Sequence, residues 1–157
     1  MNNFKNIFIL LLPFLSITTT GLFFPINKKQ YMPVFQPSGW VFSTVWTYIT
    51  FVLGYTTMRL YTKNIGMSNR NSLSIVYILL VSLLNLWLVI NNKKNYGLSF
   101  AILLMSLYVS IIYLILMTSI INKNSLNEMR LVYLLFPMCI WLGIASCLNG
   151  VIYDYYS

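Results

Sequence analysis

Apolar residues in this chain come in long blocks. Residues 7–24, 40–58, 73–90, 96–121 and 131–153 carry no charged side chain, and short polar stretches separate these five segments. Each is long enough to cross the roughly 30 Å hydrocarbon core of a bilayer as a helix. None shows the period-two alternation of a membrane β-strand, and a backbone in lipid must satisfy its own hydrogen bonds, so helices are predicted. The expected fold class is an all-α integral membrane protein, multi-pass, with a five-transmembrane-helix bundle as its single domain over residues 1–157. Its helices are placed at about 4–24, 39–62, 72–91, 96–121 and 129–154, with a loop over 25–38.

Within the blocks the spacing of unusual residues predicts which faces look inward. Pro137, Trp141, Ala145 and Asn149 recur at intervals of four in the fifth segment, so on a helix they form one slowly drifting stripe. A plain lipid anchor needs neither an indole nor an amide there, and the stripe is expected to face neighbouring helices or a ligand. Phe42, Trp46, Thr50 and Gly54 make a similar stripe in the second segment. Trp40 sits at the helix end, where an aromatic belt accounts for it, but Trp46 lies almost two turns deeper and its N–H needs a partner. In the third segment Tyr77, Val81, Asn85 and Leu88 share a face. Asn85 and Asn149 are the asparagines set well inside charge-free runs; each is costly if unpaired and is read either as interhelical glue or as a ligand contact. Ser99, Ser106, Ser110 and Tyr113 in the fourth segment are expected to pack against another helix.

The first segment has a Lys near its start, an apolar centre and a Ser/Thr patch, which is also the make-up of a signal peptide. Its apolar character continues to Phe24, past that patch, so a retained helix is the expectation. The following loop holds Pro25, Pro33 and Pro37 around Tyr31 and Phe35. It reads equally as an ordinary connection or as a partly ordered lid, since prolines lower the entropy lost on ordering.

Composition narrows the chemistry. At 59% hydrophobic and 8% charged, the chain is too apolar for a soluble domain of this size. A net charge of +8 raises nucleic acid as a partner, but the basic residues lie at or between predicted helix ends, where they meet lipid headgroups; no nucleic-acid partner is expected. Lys5, Arg59, Lys63, Arg70, Lys123 and Arg130 fall on one side of the expected bundle, and Lys28, Lys29, Lys93 and Lys94 on the other. That excess leans toward a cytoplasmic amino terminus, while the membrane itself stays open. Cys139 and Cys147 are too far apart along one helix to bridge each other.

Histidine is absent, and Glu128 and Asp154 are the only acids. A zinc site, a Ser-His-Asp triad, a carboxylate-pair hydrolase and a His-ligated haem are thereby excluded, and no catalytic or metal-binding residue is assigned. No ionisable group falls inside a segment, as ion-coupled transport usually requires. What remains suits an apolar, flat ligand stacked on indoles and oriented by one or two hydrogen bonds.

Three motifs carry a resemblance to a known family. Pro37-Ser38-Gly39-Trp40-Val41-Phe42, followed by Trp46-Thr47, resembles the start of the second helix in the TspO/MBR family, that of the translocator protein or peripheral-type benzodiazepine receptor. Leu84-Asn85 with Trp87 resembles its third-helix motif, with the Trp one residue early. Leu135-Phe136-Pro137 with Trp141, Ala145 and Leu148-Asn149 resembles its fifth-helix motif over fifteen positions. The basic residue that closes the family's sterol-recognition pattern is missing after Tyr153 and Tyr155. The resemblance implies a five-helix membrane protein, commonly a homodimer, that binds or translocates porphyrins, sterols or other hydrophobic small molecules. No resident cofactor is implied, porphyrin being a ligand. It also implies a pocket lined by Phe42, Trp46, Asn85, Trp141, Ala145, Leu148 and Asn149. A light-dependent porphyrin-degrading enzyme and a ligand-free membrane interaction protein are the alternatives.

Overall fold

The computed structural model describes residues 3–26, 31–63, 65–121 and 126–157. Among them are five helices and no strand: α1 (Asn3–Phe23), α2 (Gly39–Tyr61), α3 (Met67–Asn92), α4 (Tyr96–Ile120) and α5 (Leu126–Tyr156). The expected helical class is therefore observed. Both α3 and α5 begin ahead of their charge-free runs, taking Arg70, Glu128 and Arg130 into the helix. Backbone hydrogen bonding does not stop where the hydrocarbon does, and long charged side chains at a helix end reach outward to water.

Four helices, all except α2, are long and apolar enough to cross a membrane by length and composition. Helix α2 is diluted by tyrosines and by threonines, and the buried threonines are satisfied locally. Thr56 and Thr57 donate to the carbonyls of Val52 and Leu53 at 2.8 and 2.7 Å, and Thr50 donates to that of Thr47 at 2.9 Å. Hydroxyls bonded back to their own helix can be buried at little cost, and all three threonines are buried.

The helices close a ring in the order α1, α2, α5, α4, α3, with α3 returning to α1. The seams between α4 and α5, α3 and α4, and α1 and α2 are long; those that α2 makes with α5 and α3 are short. Ile49, Leu53, Leu80, Leu103, Leu135 and Leu142 are fully buried in the centre. Tyr113 reaches from α4 to α2, where its hydroxyl meets Thr57 Oγ1 at 2.6 Å.

Helix α1 is the most lipid-exposed helix, yet it is fixed at several points. Tyr77 of α3 donates to the Ile9 carbonyl at 2.6 Å, and Phe14 stacks on Phe51 of α2 at 4.6 Å. Gly54 of α2 lies directly against the Leu10 backbone. The stripe from Phe42 to Gly54 explains how one helix serves two neighbours. Positions four apart advance by roughly 40° around an α-helix, so twelve residues turn the stripe by roughly 120°. Its start faces the interior and its end faces α1.

The two ends of the bundle differ. Where α1 begins, α2 ends and α3 and α5 begin, Lys63 pairs with Glu128 at 2.5 Å, and Lys5 and Arg70 lie 5.7 and 5.9 Å from the Tyr61 ring centre. Tyr61 also hydrogen-bonds Ser74. Lys5, Lys63 and Arg70 thus share an end, as alternation of five spans requires; Lys28, Lys29 and Lys123 lie outside the described residues. At the opposite end Asn92 donates to the Pro25 carbonyl at 2.7 Å, the Tyr31 amide donates to the Tyr156 hydroxyl at 3.0 Å, and Tyr31 stacks on Tyr155 at 4.0 Å.

A methyl group on Gly54 would run into the Leu10 carbonyl. Gly54→Ala should therefore push α1 away from α2 and destabilise the bundle by about 1–3 kcal/mol, the usual range for overpacking. Thermal unfolding in detergent measures this, with Gly21→Ala, where a methyl meets open space, as the control expected to leave the midpoint unchanged.

Candidate ligand site

The interior at the end nearer the first loop is built around one amide. Asn149, on the buried face of α5, donates to the Ala145 carbonyl one turn earlier at 3.0 Å. This fixes its Oδ1 toward α3 and α4, where it accepts from Trp87 Nε1 at 3.3 Å, Asn91 Nδ2 at 3.3 Å and Ser99 Oγ at 3.1 Å. Asn91 Nδ2 also donates to Ser99 Oγ at 3.3 Å. Three helices are thereby tied through a single carbonyl oxygen.

An aromatic cluster covers this network. Trp46 of α2 stacks on Trp87 with ring centres 5.4 Å apart and planes 17° apart. Phe42, one turn before Trp46, packs edge-on against Trp141 of α5 at 5.5 Å. Both deeply placed indoles point inward, being 9% and 6% exposed, and the Nε1 atoms of Trp46 and Trp141 have no hydrogen-bond partner.

Beside the cluster is a cavity of about 50 Å³, walled by Phe42, Trp87, Ala145, Leu148 and Ile152, with Asn91 and Asn149 among its lining residues. Ile26, Tyr31, Met32 and Gln36 of the first loop complete it, so the loop lies over this end of the bundle. The volume suits one or two water molecules, whereas pockets for drug-sized ligands run to about 300–1,000 Å³. The ring system is closed.

Of the expected pocket residues, Phe42, Ala145, Leu148 and Asn149 meet at this cavity. Trp46 and Trp141 stand directly behind it, in ring contact with Trp87 and Phe42. Asn85 does not join them. It is half-buried against α1, accepting from Thr20 Oγ1 at 2.6 Å and donating to Ser16 Oγ at 3.2 Å and the Val81 carbonyl at 2.8 Å. Asn85 and Trp87 lie roughly 200° apart around α3, so only one can face the interior, and the indole takes that place. Pro137 likewise departs from the expected inward stripe. It is exposed, and Met138 is buried in its stead, because the stripe drifts out of the interior within one step.

Trp87, Asn91 and Ser99 are the site residues that the stripe reading passes over. The pattern that finds the first two is Leu84, Trp87 and Asn91, spaced by three and four on one helical face and all buried, whereas Ser99 was expected only to pack against another helix.

A closed ring of long apolar helices defines an integral, multi-pass membrane protein. The chain belongs to the TspO/MBR family, whose model matches residues 7–154, nearly the whole length. No curated protein matches the chain.

Replacing Asn149 by Leu strands three donors from two neighbouring helices, while Asn85→Leu strands only hydroxyls that can turn back to their own helix. Asn149→Leu should thus cost about 1–3 kcal/mol and Asn85→Leu less than about 1 kcal/mol. Unfolding in mixed micelles, followed by circular dichroism, would order the two.

Proposed function

We propose that this chain is a membrane-embedded binding or translocator protein for flat hydrophobic ligands, with porphyrins and sterols as the classes to test first. The observation that supports this most is a set of unsatisfied polar atoms around the aromatic cluster. Trp46 Nε1, Trp141 Nε1 and Asn91 Oδ1 are all buried without a partner, within residues that are 9%, 6% and 1% exposed. A buried donor or acceptor left unpaired costs about 1–3 kcal/mol. A merely structural bundle gains nothing from three such atoms, whereas a ligand with polar edges recovers the deficit on binding.

The ring contacts favour the same reading. Indoles stacked on one another offer flat faces of the right chemistry for a conjugated or fused-ring ligand. Binding requires the Trp46–Trp87 pair or the first loop to move aside, since the cavity of about 50 Å³ is too small for such a molecule. Affinity then reflects ligand contacts minus the cost of parting these rings.

Purified protein should show saturable quenching of its tryptophan fluorescence by protoporphyrin. Trp141→Ala should weaken that affinity by about tenfold, equivalent to ~1.4 kcal/mol. Trp141→Phe separates binding from folding. It removes a donor with no partner and keeps an aromatic ring, so the unliganded protein should lose less stability than with Trp141→Ala while its protoporphyrin affinity still falls. Linear, unsaturable quenching by protoporphyrin in the parent protein would refute the proposal.

A further inference from the structure

The hydrogen-bond directions at the cavity specify more about a ligand than its shape, on the reading that the chain binds one. Asn149 has a single consistent orientation. Its Nδ2 faces the Ala145 carbonyl, which can only accept, and its Oδ1 faces the Trp87 indole, which can only donate. Asn91 is oriented in turn. Its Nδ2 points at Asn149 Oδ1, and turning the amide over would set two carbonyl oxygens against each other. Ser99 gives its one proton to Asn149 Oδ1 at 3.1 Å and so accepts from Asn91.

Within this network Asn91 Oδ1 is the buried acceptor left without a partner, while Asn149 Nδ2 gives one of its two N–H groups to Ala145. Asn91 is 1% exposed, it lines the cavity, and its Oδ1 has no partner. Trp46 and Trp141, whose donors are unpaired, are not among the residues lining this cavity. Gln36 does line it, but its amide carries donor and acceptor alike and does not discriminate.

We infer that Asn91 Oδ1 is a specificity determinant that selects flat apolar ligands bearing a hydroxyl or N–H group at the edge that enters this cavity, over isosteres whose edge only accepts. Water fits the same space and donates equally well, so a ligand hydroxyl displaces it without losing the hydrogen bond. An ether or carboxylate oxygen placed there removes the water and meets a lone pair.

The test uses the full-length chain in detergent with 1-pyrenemethanol and its methyl ether as probes, and protoporphyrin as the reference ligand, all read by tryptophan quenching. The parent protein should bind the alcohol about tenfold more tightly than the ether, the worth of one buried hydrogen bond with its desolvation. Asn91→Leu should abolish that preference. Asn91→Asp should keep it, because a carboxyl in this apolar site stays protonated, donating to Asn149 and retaining a carbonyl acceptor. If the leucine variant does not fold, Asn91→Ala takes its place. Saturable protoporphyrin binding with no preference between the pyrenes, or a preference that survives Asn91→Leu, overturns this inference and leaves the binding proposal standing. Absence of saturable binding by all three probes overturns both.

Discussion

A carbonyl oxygen with three donors around it is the constraint on which the interior depends. Asn149 Oδ1 gathers Trp87, Asn91 and Ser99 from two other helices. In a soluble protein a loosened amide finds water. Deep in a membrane bundle the replacement partners are scarce, so each donor has reason to stay. The network therefore sets the rotation of α3, α4 and α5 about their own axes, which greasy surfaces packed against lipid-like neighbours would leave nearly free. Rotation in turn fixes which aromatic rings face inward.

The aromatic rings fill the space that the amides define. Trp46 on Trp87 and Phe42 on Trp141 bury large faces, but they leave indole N–H groups without partners. Packing and hydrogen bonding are thus in tension, with packing satisfied and polarity not. An interior of this kind is held by its packing and keeps Trp46 Nε1, Trp141 Nε1 and Asn91 Oδ1 unpaired. The short seams of α2 with α5 and α3 are where the ring is held by the least packing.

The five helices were legible in the sequence because a bilayer demands length and the absence of charge, and both can be read directly. Trp46, Trp141 and Asn149 were legible for a related reason, as large or polar groups stand out inside apolar runs. Helix rotation was much less so. An interval of four drifts by roughly 40° each time, which is why Pro137 turns outward at one end of a stripe whose other members face in. Asn85 matched a motif and was expected in the pocket, yet its amide is held by Ser16 and Thr20 of α1, a partnership that no local pattern reveals. Asn91 was hidden by its surroundings. Followed by Asn92, Lys93 and Lys94, it reads as the polar fringe of a helix, and only the approach of α5 makes it part of the interior.

The unlike ends of the bundle are held by different chemistry. At one end, helices α1, α2, α3 and α5 are stitched together by the Lys63–Glu128 pair and by two cations over Tyr61. At the other, the contacts described between the first loop and the helix ends are neutral: stacked tyrosines, an amide on a hydroxyl, and an amide on a carbonyl. The shape is that of a closed tulip, with an ion pair and two cation–ring contacts at the stem. Stacked rings and neutral hydrogen bonds join the first loop to the helix ends at the mouth, where Lys93 and Lys94 also stand. Among the described residues, parting those mouth contacts separates no ion pair, whereas parting the stem separates Lys63 from Glu128.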